Sequence, residues 1–467
     1  MKIKKKTSAK TAAALIEQIR NFGIQRGVVL FLVGGYVRDR LLRHRSHDID
    51  IVLEGDALAF SRDFARSHGY QAPVFYGRFG TAMLEVDSIK IEFATARKES
   101  YSDDSRKPIV APATIYEDLS RRDFTINAIA ENLLTRKLLD PFGGKKDLKE
   151  KILRTPIDPD KTFFDDPLRI LRGVRFAAVL GFTICTETKE AMKRNITRLN
   201  IVSRERIADE ILKTLGARRP GYGFRLLDEI GALDILMPEV SVLKEKPADN
   251  QCKELLDHTL LALDNAAGFT RNRVVRLATL LHDIGKPRTF KVEGNKVSFH
   301  RHEFVGEKMS WKIMERLMIP QDEAKKVAKL IRYHLRPHLL AKENPTDNAL
   351  ARFIREIGPD MKALFYLASA DITSRNPKKV AQARERVAKL YERITLLNKK
   401  MRLAKFKLAV DGHVIMELLG LKPGIEVGRI KKLLEEKVLD GTLSNRKTVL
   451  KQYIQKHGKQ LLEGSHD

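Results

Sequence analysis

Between residues 28 and 94 the apolar positions come in short runs bounded by glycine, proline and acidic turns, whereas beyond residue 145 they recur every three or four residues. The first pattern predicts strands and the second amphipathic helices. Strands are expected at Val28 to Val33, Ile49 to Leu53, Thr81 to Val86 and Ile89 to Ala94, with Asp87-Ser88 as a tight connection between the last two. Together they make a small mixed sheet. Past Asp140-Pro141-Phe142-Gly143-Gly144 the helical pattern is broken at Pro156, Pro159, Gly216, Pro220, Pro238 and Pro247. The expected class is therefore α+β, divided into a head (1–145), a helical neck (146–247), a second helical domain (248–375) and a basic helical tail (376–467). No repeat or low-complexity tract interrupts this order.

A chain of 467 residues is too long for one core, and its 43% apolar content can supply several. With 87 Lys plus Arg against 60 Asp plus Glu, the formal charge is +27. Such an excess repels itself unless the partner is a polyanion, so RNA or DNA is expected and an anionic membrane is the weaker option. No apolar run approaches a membrane span, and Met1 to Lys10 is Lys-rich and polar where a secretory leader would be apolar. Cys185 and Cys252 form neither a disulfide framework nor a metal-ligand spacing. A cytoplasmic protein, without membrane contact, is the expectation.

Candidate chemistry begins at Val33-Gly34-Gly35-Tyr36-Val37-Arg38-Asp39, followed by Asp48-Ile49-Asp50. A glycine turn closing a strand exposes backbone N–H groups, and Arg38 adds a guanidinium fork for phosphate. Because alternate strand residues share a face, Asp48 and Asp50 lie about 6 to 7 Å apart on one side. Two such carboxylates can bridge Mg²⁺ to a nucleotide's phosphates. Glu92, in a neighbouring strand, can act as the general base or serve only as a solubility residue on an edge strand.

These residues resemble the class II branch of tRNA nucleotidyltransferases and bacterial poly(A) polymerases, over roughly residues 28 to 375. The resemblance implies a polymerase-β-like head. It extends to Arg121-Arg122-Asp123-Phe124-Thr125-Ile126-Asn127-Ala128, where it assigns Arg122, Asp123 and Asn127 to the incoming nucleotide. On a helix Asp123 and Asn127 would face the same way, with Phe124 and Ile126 anchoring the segment. The neck carries Asp165-Asp166-Pro167-Leu168-Arg169-Ile170-Leu171-Arg172-Gly173-Val174-Arg175-Phe176. There Asp166 and Arg169, at i and i+3, would pair into a donor-acceptor edge that accepts the amino group of cytosine or adenine and repels the carbonyl of guanine or uracil. Arg172 and Arg175 complete the nucleotide-binding set. Similar enzymes usually have Glu-Asp where this chain has Asp165-Asp166, which leaves the role of residue 165 open.

Downstream, His258, His282-Asp283, His302, His334 and Asp371 reproduce the ligand order of HD-type metal phosphohydrolases, implying a second divalent metal that activates water against a phosphoester. His300 competes with His302 for one ligand position, and Arg301 stands where similar proteins often have Gly. The segment Thr95 to Tyr116 looks like the flexible loop of enzymes that complete a CCA end. The expected function is therefore addition of C, C and A to the tRNA 3′ end from CTP and ATP without a template. A poly(A) polymerase, an A-only or CC-only enzyme, and an HD phosphohydrolase with an RNA-binding head are the alternatives. Tail basic residues, among them Lys399, Lys400, Arg402, Lys405, Lys407, Arg429, Lys431, Lys432, Arg446 and Lys447, are expected to hold tRNA phosphates.

Overall fold

A computed structural model describes the chain apart from residues 1–10, 45, 47, 78–79, 103–104, 245–254, 294–295, 375, 406–407, 440–441 and 464–467. Its strands are β1 (Leu30–Val33), β2 (Asp48–Leu53), β3 (Val74–Tyr76), β4 (Thr81–Val86), β5 (Ile89–Thr95), β6 (Arg97–Ser102), β7 (Ser105–Pro112), β8 (Ala130–Asn132) and β9 (Leu138–Leu139). Seven of them form one sheet in the order β3-β4-β5-β2-β1-β8-β9. Only β2 and β5 run parallel, so the sheet is mixed as the alternation implied. Asp87 and Ser88 both take positive φ, 49° and 68°, the geometry of a two-residue hairpin connection.

The four expected strands thus sit within a wider sheet. β3, β8 and β9, of two or three residues, are too short to leave a readable alternation. The region from Thr95 to Tyr116, read as a loop, instead contains the antiparallel hairpin β6-β7, with a register shift between Ser100 and Ser102. Its Asp103 and Asp104 lie outside the described residues.

Burial explains why the central strands are fixed. β2 buries Ile49, Ile51, Val52 and Leu53, which leaves polar side chains room only toward its N-terminal end. One side of the sheet packs Phe31, Val33, Val52, Ala128 and Ala130 against Ile115 and Leu119. Elsewhere Phe22, Phe60, Phe64 and Phe93 form an aromatic cluster, with ring centroids 5.3 Å apart for Phe22–Phe60 and 5.8 Å for Phe60–Phe93.

Two compact units divide the chain: residues 1–344 with 359–388, and residues 345–358 with 389–467. In the first, helices follow the head, including Leu168–Leu180, Arg204–Leu215, Leu255–Phe269, Arg273–Leu281, His302–Arg316, Gln321–Tyr333 and Met361–Asp371. The boundary expected near 248 falls among residues not described. The second unit has its own core of Val410, Ile415, Val427, Ile430, Leu434, Leu450 and Ile454. Among the described residues no helix is long and apolar enough to cross a membrane.

Gly144 shows how tightly the head closes. A Cβ there would stand 2.2 Å from the Thr125 carbonyl oxygen and 2.8 Å from Ile129 Cγ1. Because the first obstacle is backbone, Gly144→Ala should cost about 1 to 3 kcal/mol. Thermal unfolding measures this directly, and an unchanged melting temperature would contradict the close approach.

Candidate active site and metal centre

β1 passes directly into the Gly34–Leu41 helix, and that junction shapes the head site. Gly34 has φ +63°, and a Cβ on it would lie 3.1 Å from Asp50 Oδ2 and 3.0 Å from an Arg122 guanidinium nitrogen. Glycine is needed for both the dihedral and the approach. The Gly35 N–H donates to the Asp50 carboxylate. Asp50 is half-buried, while Asp48 is exposed at the start of the strand.

Across the parallel pair, Asp50 stands in register with Glu92. β5 lies between β4 and β2, so the edge-strand alternative for Glu92 fails. Burial raises the proton affinity of Asp50, and the charge of Asp48 adds to it against Arg122, Gly35 and Arg38. Glu92 is raised first by burial and then by Asp50, against Arg97 and Arg122. Carboxylates crowded into partial burial in this way suit a divalent cation, whose charge relieves the repulsion. Yet among the described residues only histidine-rich groups bring three ligand atoms within 4.8 Å of one another. A cation in the head would therefore rely on one or two carboxylates with phosphate or water oxygens, as Mg²⁺ commonly does.

Around this strand end the arginines are organised by two buried carboxylates. Asp118 accepts from Arg121 at 2.5 and 3.1 Å and from Arg122 at 3.0 and 3.3 Å, a double clamp that the sequence pattern did not single out. Asp123 accepts from Arg172 Nε at 2.8 Å and from Asn127 Nδ2 at 2.9 Å. Although burial opposes ionisation, Arg172 and Asn127 hold the Asp123 carboxyl down at about 2. Asn127 Oδ1 in turn accepts from Arg38 at 2.8 Å. A continuous path, Arg38 to Asn127 to Asp123 to Arg172, thus joins the glycine turn to the Leu168–Leu180 helix.

Asp123 and Asn127, expected to share a helix face, are brought together by a hydrogen bond but not along an α-helix. Thr125–Asn127 is a single 3₁₀ turn, because the Thr125 N–H donates to the Arg154 carbonyl and its hydroxyl to Asp147, drawing the segment off an α-helical ladder. Phe124 and Ile126 are fully buried. Phe176, to which the sequence attached no role, is a platform for three guanidinium groups. Those of Arg38, Arg172 and Arg175 lie 5.2, 5.6 and 4.2 Å from its ring centroid. Arg175 also donates to the buried Glu210 at 2.6 Å.

The expected pairing of Asp166 with Arg169 does not occur. Arg169 is buried and donates to the carbonyls of Arg121, at 2.6 Å, and Thr162, at 3.3 Å. A buried guanidinium already satisfied by backbone oxygens gains little from turning toward a half-exposed carboxylate. Asp166 instead accepts from the Leu168 N–H at 3.2 Å and lies 3.6 Å from Arg206.

The second site is built by helix ends. His282 follows the Arg273–Leu281 helix, His302 opens the His302–Arg316 helix, and His334 follows the Gln321–Tyr333 helix. Their Nδ1 atoms lie 2.7, 2.9 and 2.7 Å from the carbonyl oxygens of Thr279, Phe299 and Ile331, which places the proton on Nδ1 and turns an Nε2 lone pair inward. Asp283 is the hub. Its Oδ2 lies 3.3 Å from His282 Nε2 and 3.4 Å from His258 Nε2, and its Oδ1 lies 3.4 Å from His302 Nε2. That Oδ1 is buried without a hydrogen bond. Asp371 Oδ1 approaches His258 and His282 at 2.9 and 3.1 Å.

An orphaned buried carboxylate oxygen facing oriented imidazole lone pairs fits a divalent metal. Without an ion, burial opposes protonation of His258, but Asp283 and Asp371 raise it to about 9; burial and neighbouring His282 lower His334 to about 3. His302 is gathered in, and His300 is exposed. Arg301 has φ +62°, the left-handed conformation that explains why glycine suits that position. His338, not anticipated from the motif, reaches Asp371 Oδ2 at 3.4 Å.

Family models match three segments: a poly A polymerase head domain over residues 30–154, a probable RNA and SrmB-binding site of polymerase A over 181–243, and an HD domain over 255–393. An A-adding tRNA nucleotidyltransferase of Deinococcus radiodurans is 32% identical over 424 residues, 87% of this chain and 90% of that protein. A multifunctional CCA protein of Aliivibrio salmonicida is 35% identical over 318 residues, 65% of this chain and 74% of the relative. The chain therefore belongs to the tRNA nucleotidyltransferase and poly(A) polymerase family, in the branch that carries an HD domain. It is a nucleotidyltransferase. Its fold matches that of a tRNA nucleotidyltransferase crystallised with a primer tRNA and an incoming ATP analog, with TM-score 0.58 and 24% identity over 83% of this chain and 99% of that one.

A raised carboxyl pKa in the folded state opposes folding at neutral pH, and the opposition disappears once pH falls below the unfolded value. Asp50→Asn should therefore raise the melting temperature of the metal-free enzyme at pH 7, with the gain shrinking toward about pH 4. Nucleotide addition should fall by orders of magnitude in the same variant. A melting temperature unchanged or lowered at pH 7 would refute the crowding of these carboxylates.

Proposed function

We propose that this enzyme adds C, C and A to the 3′ end of tRNA from CTP and ATP, in the cytoplasm and without a nucleic-acid template. The observation that carries the reading is the Asp50–Glu92 register beside the Gly34 turn, with Asp48 at the open strand end. Asp48 and Asp50 would hold Mg²⁺, which when bound stabilises charge on the reacting phosphate. Gly34, Gly35 and Arg38 offer donors to the triphosphate. Glu92, its proton affinity raised, would take the proton from the tRNA 3′-hydroxyl as that oxygen attacks the α-phosphate and pyrophosphate leaves. Arg122, Asp123 and Asn127 would position the nucleotide's sugar and phosphates.

Base choice belongs to the neck. Asp166 keeps the acceptor for the amino group of cytosine or adenine, Arg172 and Arg175 hold the wall around Phe176, and Arg169 would act by bracing the Arg121 carbonyl beneath the nucleotide. In the second unit Lys399, Lys400, Arg429, Lys431, Lys432, Arg446 and Lys447 are exposed, which suits contact with tRNA phosphates. Lys407 and the side chains of Arg402 and Lys405 lie outside the described residues. The HD site, with His258, His282, Asp283, His302, His334 and Asp371 as ligands to a divalent metal, would hydrolyse phosphoesters.

A second reading, addition of the terminal A alone, is favoured by the A-adding relative that spans most of this chain. Transcripts ending before C, after C and after CC, each given CTP and ATP separately, decide between them. The full reaction predicts CTP incorporation on the first two and ATP incorporation on the third. Incorporation of ATP on the CC transcript with none of CTP elsewhere would replace it with A-only addition, and long A tails would point to a poly(A) polymerase.

The two sites should also separate. His282→Ala with Asp283→Ala should abolish metal-dependent phosphohydrolase activity and leave nucleotide addition within a few-fold of wild type. Loss of both activities in a folded variant would overturn their independence.

A further inference from the structure

Beside the histidine cluster a cavity of about 520 Å³ opens between the Arg336–Glu343 helix, the end of the Met361–Asp371 helix and the start of the Pro377–Lys405 helix. Its floor is Asp371 with His338, the pair 3.4 Å apart. Apolar Leu339 and Val387 line it together with the cations Lys342, Lys379 and Arg386. The volume lies within the range of sites for small organic ligands and exceeds what a lone phosphate or water needs. Three cations around a cavity that ends on a proposed metal ligand select for an anion, and the apolar lining selects for an organic group attached to it.

We propose that this cavity is the substrate pocket of the HD site, that it takes an organic phosphoester of about nucleotide size, and that Lys379 and Arg386 are its specificity-determining residues. The inference rests on the phosphohydrolase reading of that site. It adds the residues that recognise the substrate, which lie on a helix outside the His/Asp ligand pattern. Both side chains are exposed, so they can reach a phosphoester's non-bridging oxygens while its organic part lies against Leu339 and Val387. In hydrolysis, water supplies the oxygen that bonds to phosphorus, and the bond to the organic oxygen breaks, that oxygen leaving with a proton.

The test uses full-length, metal-loaded enzyme and compares wild type with Lys379→Ala, Arg386→Ala and the double variant. Readouts are bound metal, nucleotide addition, and KM and kcat for an adenosine monophosphate and for the compact p-nitrophenyl phosphate. The double variant should keep its metal and its nucleotide addition, and should raise KM for the adenosine phosphate about ten-fold or more, as expected for losing charge-assisted contacts. Arg386→Lys should recover part of that loss. Unchanged KM for both substrates in an active double variant would overturn the pocket while leaving the hydrolase reading standing. A metal-loaded wild type that hydrolyses neither substrate would instead overturn the hydrolase reading, and the pocket with it.

Discussion

Asp123 is buried, and its ionised state depends on an arginine from another element. Arg172 on the Leu168–Leu180 helix supplies that charge, Asn127 supplies a second donor, and Arg38 completes Asn127 from the helix that follows the glycine turn. Removing one partner of such a buried pair typically costs about 3 to 5 kcal/mol, because the remaining charge is stranded. The head's glycine turn and the neck's Leu168–Leu180 helix are therefore held as one object. Phe176 and Asp118 add to this, the first lying under three guanidinium groups and the second clamping two.

Positive charge in this region is thus largely directed inward. A chain with formal charge +27 has arginine in excess, and a free guanidinium near a triphosphate would bind any anion. Here Arg121, Arg122, Arg169, Arg172 and Arg175 each already have an acceptor in the protein. Their geometry is consequently set before a nucleotide arrives, which is what electrostatic preorganisation requires.

Much of this was legible from the residues in order. Alternation marked β2 and β5, and the same alternation put Asp48, Asp50 and Glu92 where they could meet, since register across a parallel pair preserves face. The histidine cluster was legible because its residues keep the order of the HD-type pattern they resemble, even though the positions are far apart in sequence. Three things were not. The β6-β7 hairpin is rich in charge and ends in proline, so nothing in its pattern distinguishes it from a loop. Arg169 sits at i+3 from Asp166, but its strongest acceptor is a carbonyl 48 residues away, and local spacing carries no information about that competitor. His338 joins Asp371 only because two helices end side by side, a tertiary fact with no local signature.

The two proposed metal sites differ in one simple respect, the exposure of their ligands. Asp48 opens to solvent and Asp50 is half-buried, whereas His282, Asp283, His302 and His334 are all buried. Residence time follows. A cation on Asp48 and Asp50 would arrive with each nucleotide and depart with each pyrophosphate, behaving as a co-substrate. One held mostly by buried histidines, reached only past half-buried His258 and Asp371, would exchange more slowly. One chain would thus carry one ion that comes and goes with each turnover and another that stays in place across many.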